Sequence, residues 1–164
     1  MPVQRYHIEF FSTWGSIDHI SIHYRGFIHT PLDVLSIKIF EQEKDSFRLR
    51  YALHNLGYTN YCMGQYDTAL VILTKSLDLF KESNHPYSTY SYFVCLGNMG
   101  LVHSRLSDTH TAEEYLLTAI DTLIKLDDKI SVPEFMNEYA NILGQKGETN
   151  NAINYASWAL RMAD

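Results

Sequence analysis

YALHNLGYTNYCMGQYDTALVILTKSLDL, residues 51–79, decides the fold. In its first half Leu53 and Leu56 stand three apart, and Leu56-Gly57 is followed by Asn60 and Tyr61. That is one apolar helical stripe, with a small residue where another helix must come close. Gly64 stops the helix, since glycine enters a left-handed turn without steric penalty. Asp67 or Thr68 is expected to cap the next helix through a side-chain oxygen. Ala69, Leu70, Leu73, Ser76, Leu77 and Phe80 then recur at three- and four-residue spacing, and the small Ala69 and Ser76 permit close packing. The stretch reads as two antiparallel helices joined at residues 64–67.

The pattern returns on both sides. Asn98-Met99-Gly100 repeats Asn55-Leu56-Gly57, and Ala112 stands twelve residues after Gly100, as Ala69 does after Gly57. Leu116 and Ala119 match Leu73 and Ser76, while Gly147, Ala152 and Ala159 form a weaker third copy. Upstream, GFIHTPL (26–32) aligns without a gap on GQYDTAL (64–70), so the offsets are 38, 43 and 40 residues. A period of this size indicates a solenoid.

With these residues in view, the chain resembles the tetratricopeptide repeat family, whose signature places Leu-Gly in a first helix and a small residue and an apolar residue in the second. Leu56-Gly57…Ala69…Leu73 and Met99-Gly100…Ala112…Leu116 carry it best. The likeness is good over 50–126, moderate over 133–162 and poor over 2–44. The signature Trp is missing from both good repeats, Asn60 and His103 stand where Tyr is expected, and Leu replaces Phe. The long period and the Asn84-His85-Pro86 linker are similar to kinesin light chains and Rap-like bacterial peptide sensors. The resemblance implies an all-α, right-handed α-solenoid of about four helical hairpins in one domain, 1–164. Its units are 2–44 (degenerate), 47–82, 87–126 and 133–163.

Bulk composition narrows the function classes. The chain carries 13 Lys and Arg against 19 acids, a net charge of −6, with no basic cluster to track a nucleic-acid backbone. No apolar run approaches the roughly 18 residues of a membrane helix. The opening MPVQRYHIEFF lacks the apolar core and cleavage site of a signal peptide. Cys62 and Cys95 read as buried small hydrophobes in a reducing compartment, so the cytoplasm is the expected location. The N-terminal region is ambiguous. Phe10, Trp14, Ile17, Ile20 and Tyr24 keep helical spacing, which favours a helix, but the alternation of Ile20, Ile22 and Tyr24 leaves a β-hairpin over 2–25 open. Thr30-Pro31 marks a helix start, and Pro86, Asp108 to Thr111 and Pro133 mark the later boundaries.

The first helix of each unit in such an array lines the concave side. Its groove candidates are Tyr51, His54, Asn55, Tyr58, Tyr61 and Cys62, then Val94, Asn98, Leu101, Ser104 and Arg105, then Glu134, Asn137, Glu138 and Asn141. Asn55 and Asn98 occupy one place in successive repeats, where an amide can donate to and accept from an extended peptide; the alternative is that they satisfy helix or loop groups internally. The resemblance favours ligand contact there. Only Arg105 is clearly cationic on this surface, which argues against a carboxylate clamp, and the acids of the last unit point to a basic, aromatic peptide. His19 and His23 form an i,i+4 pair without a third ligand, and Gly97 to Gly100 sits mid-helix as packing glycine, so neither metal nor nucleotide is expected. No nucleophile–base arrangement or carboxylate pair stands out. The expectation is a non-catalytic, cofactor-free module that binds a protein or peptide. A peptide-sensing regulator and a structural subunit remain as alternatives, and exposed repeat ends leave open a homo-oligomer.

Overall fold

A computed structural model describes residues 30–83, 85 and 87–163. These form seven α-helices and no strand: α1 Thr30–Gln42, α2 Ser46–Cys62, α3 Tyr66–Lys81, α4 Ser88–Arg105, α5 Thr109–Lys125, α6 Ser131–Gln145 and α7 Thr149–Ala163. The helices pair as the hairpins α2–α3, α4–α5 and α6–α7, and α1 packs on α2 ahead of them. The helix-or-hairpin question over 2–25 and the His19–His23 pair lie outside the described residues.

One turn chemistry recurs at every short connection. Gly64, Ser107 and Gly147 hold φ of 76°, 64° and 82°. In each case the next amide reaches back five residues: Gln65 N–H to Asn60 O at 2.9 Å, Asp108 to His103 at 2.9 Å and Glu148 to Leu143 at 2.9 Å. This closure satisfies carbonyls that a helix end otherwise leaves bare. Lys44 and Asp127 adopt the same left-handed conformation, with φ of 55° and 57°, between hairpins. Ser107 carries a Cβ where its counterparts carry none, so Ser107→Gly is expected to stabilise the protein by about 0.5–1 kcal/mol in urea unfolding; a loss of stability would refute this account of the turn.

The helices start in different ways, and α3 departs from the cap expected for it. α2 begins at Ser46, several residues before the apolar stripe, because Asp45 accepts the Arg48 amide at 2.9 Å. α3 begins at Tyr66 with Gln65 at the cap and no side-chain bond there. Gly64 reverses the chain so tightly that the helix restarts before Asp67 or Thr68 can cap it, and Asp67 instead lies in the first turn. Asp108 does cap α5, accepting the Thr111 amide at 3.3 Å.

The repeats pack through the positions that the sequence alignment pairs. Ala69 and Ala112 are wholly buried, as are Leu73 and Leu116. A Cβ on Gly57 would lie 2.6 Å from Leu73 Cγ, and one on Gly100 2.8 Å from Leu116 Cγ. These glycines are small because the partner leucine occupies the space. Gly97 meets the ring of Phe135 in the same way, joining α4 to α6. One core runs from α4 to α7 through Leu101, Leu116, Leu123, Phe135, Met136 and Ile142, and a second lies between α3 and α4 around Leu73, Phe80, Cys95 and Val102. Cys95 is buried as expected, but Cys62, the last residue of α2, is exposed.

The direction of bending follows from which helices meet. α2 touches α4, and α4 touches α6, whereas α3, α5 and α7 do not touch one another. The first helices therefore converge and the second helices fan apart, which makes α2, α4 and α6 the inner face of an α-solenoid.

Candidate functional site

The inner face is joined by polar side chains that reach from one repeat to the next. Asn98 on α4 is 5% exposed and its Nδ2 lies 2.8 Å from His54 Nε2 on α2. With the ring neutral, Asn98 donates and His54 accepts. Burial holds the His54 imidazole down at about 4, which keeps it in that acceptor form. Forty residues after Asn98, Glu138 on α6 does the equivalent work. It is buried, and its Oε1 accepts from Ser104 at 2.5 Å and from Arg105 at 2.6 Å on α4. The Asn–Asn alignment thus marks a position whose side chain clasps the preceding first helix. Asn55 holds that position in α2, is exposed, and makes no hydrogen bond among the described residues.

A second link skips a repeat. Tyr58 on α2 donates to the Glu134 carboxylate on α6, 3.2 and 3.3 Å from its two oxygens. Tyr58 stacks at 5.8 Å on Tyr61, and the Arg105 guanidinium lies 5.9 Å over the Tyr61 ring. Burial raises the Tyr58 hydroxyl far above its usual range and pushes Tyr61 up to about 12, so both remain hydrogen-bond donors. Crowding also raises the Glu134 carboxyl, with the Glu138 charge adding and the Tyr58 bond opposing. Arg105 is held higher still as a cation by Glu138. Packing around the sulfur raises the Cys62 thiol although one side of the residue is open; a thiol held protonated is a poor nucleophile.

The expected groove residues divide accordingly. Tyr51, His54, Tyr58, Tyr61, Asn98, Arg105 and Glu138 come together on the inner helices, with Tyr51 Oη 3.3 Å from Ser91 Oγ of α4. Leu101 is 1% exposed and belongs to the core, because α5 and α6 close over it. Asn141 is exposed on α6, where the forty-residue offset aligns it with Leu101, and Tyr58 precedes Leu101 by 43. Ser104 and Glu134 were visible as groove positions, but their pairing partners were not. Arg50, discussed below, carried no sequence signal beyond opening the region of good likeness. Among the described residues, no three His, Cys, Asp or Glu side chains gather as a metal would require, and no helix is long and apolar enough to cross a membrane.

Comparison with protein families matches residues 48–125, essentially α2 to α5, to the tetratricopeptide repeat. A search of curated proteins finds no match. The matched segment is the one in which Gly57 and Gly100 seat Leu73 and Leu116, and this segment, 48–125, is tetratricopeptide-repeat sequence.

Proposed function

We propose that the inner face of α2, α4 and α6 binds an extended segment of a partner protein, without catalysis. Tetratricopeptide repeats mediate protein–protein interaction, and the observation that carries the finer reading is the convergence of the three first helices into one polar, aromatic row. Asn55 and Asn141, exposed on α2 and α6, make no side-chain hydrogen bond among the described residues, which suits an extended backbone that needs donors and acceptors. Arg105 neutralises Glu138 and leaves Glu134 as a surplus acid beside Tyr58 and Tyr61, which suits a segment with basic and aromatic side chains.

Affinity capture from cell extract tests this reading, with the full chain compared with Asn55→Ala/Asn141→Ala. Both positions are exposed, so circular dichroism should show an unchanged fold. A partner identified by mass spectrometry should be retained by the wild type and weakened about tenfold or more in the variant. Equal retention by both proteins would move the function off this face. Capture of the chain alone would favour self-association, for which Ile153, Trp158 and Leu160 on α7 offer an exposed apolar surface.

A further inference from the structure

Arg50 is a buried cation without an anion among the described residues. It lies in the second turn of α2 and is 4% exposed, the only buried arginine among the described residues. Its backbone carbonyl accepts from Ser76 Oγ on α3 at 2.8 Å, which pins the α2 backbone against the second helix of the hairpin. Its guanidinium carbon stands 4.7 Å over the Phe47 ring and 5.5 Å from each of Tyr51 and Phe80. Nε is sealed from solvent with no hydrogen-bond partner. The two Nη groups, which are not sealed, make no hydrogen bond or ion pair among the described residues either. Every other arginine described on α2 or α4 has a carboxylate: Arg48 has Asp45 and Glu43, and Arg105 has Glu138.

Aromatic faces offset part of the cost of burying a guanidinium, but they act on its π-faces and leave its N–H edges empty. A buried charge with bare donors is costly unless an opposite charge arrives. We propose that Arg50 is a carboxylate-binding site, its N–H edge receiving the carboxylate of a ligand between the rings of Phe47, Tyr51 and Phe80. A planar carboxylate matches the guanidinium edge to edge. It is also a monoanion, so it neutralises the single charge of Arg50, whereas a phosphate dianion would leave surplus negative charge in a chain already at −6. The site does not depend on occupancy of the inner face.

The test uses the full chain titrated with sodium acetate against sodium chloride at constant ionic strength. The Nε–H resonance of Arg50, assigned by its loss in Arg50→Met, should shift saturably. The melting temperature should rise by about 3–6 °C at tenfold excess over half-saturation. Arg50→Met keeps the length and apolar contacts of the side chain, and should melt higher than wild type in chloride and show no response to acetate. A blocked Ala-Glu-Ala peptide and its Gln counterpart then separate the sources. Tighter binding of the Glu peptide than of acetate identifies an acidic side chain of a partner. Binding of acetate with exclusion of the peptide identifies a free small carboxylate. No Arg50-dependent shift with either probe, an equal response in Arg50→Met, or phosphate binding as well as acetate would overturn the assignment.

Discussion

Gly97→Ala is expected to destabilise the protein by about 3 kcal/mol or more, the largest effect of any single methyl group on the inner helices. The added Cβ would fall on the ring of Phe135, which is 0% exposed and enclosed in the core between α4 and α7. A flexible side chain could move aside, but a buried ring has no free space to turn into. The two helices must separate, and the gain of about 1 kcal/mol in helix propensity from Gly to Ala does not offset that. Gly144→Ala is the internal control. A Cβ there meets nothing within 4 Å, so this change should be neutral or slightly stabilising. Urea unfolding followed by circular dichroism measures both, and Phe135→Leu should recover part of the Gly97→Ala loss in a double variant. If Gly97→Ala came within about 0.5 kcal/mol of wild type, the close approach of α4 and α6 would not be as described.

A second large effect is expected on acidification. The His54 ring is half-buried beneath Phe80, at 6.3 Å, and accepts from Asn98. Its folded-state value of about 4 lies below the ordinary 6.5. The unfolded chain therefore binds this proton more readily than the folded one. The resulting stability is complete above 6.5 and is lost as pH falls towards 4, at up to about 1.4 kcal/mol per unit, on the order of 3 kcal/mol in total. His54→Gln keeps an acceptor for Asn98 and removes the titration. Subtracting its pH–stability curve from that of wild type cancels the carboxylates common to both, and the difference should slope between pH 6.5 and 4.5. Parallel curves would mean that His54 accepts its proton in place.

The helical hairpins were legible because their determinants are local or periodic. Gly64, Leu56-Gly57 and Ala69 each state a requirement for space or backbone freedom that recurs forty residues on. Cap positions were less legible. Asp45 closes the charged stretch 41–45, and nothing local says that its carboxylate will turn back to the Arg48 amide. The inner-face amides show the deeper limit. Asn55 and Asn98 are equivalent in sequence, yet Asn55 is exposed and Asn98 is bonded to His54, a partner 44 residues away that only the stacking of α4 on α2 brings close. Glu138 read as a free acid for the same reason: its partners Ser104 and Arg105 lie more than thirty residues away and are brought close only by the stacking of α4 on α6.

The fanning of α3, α5 and α7 bears on how the stack responds to force. With no lateral contact along the outer rim, pulling the two ends apart would load the inner clasps of His54–Asn98, Arg105–Glu138 and Tyr58–Glu134 before it strained any hairpin core. The array is then a spring whose stiffness these polar links share with the apolar contacts of α3 on α4 and α5 on α6. Substitutions at those links would change its radius and compliance while each hairpin stays folded.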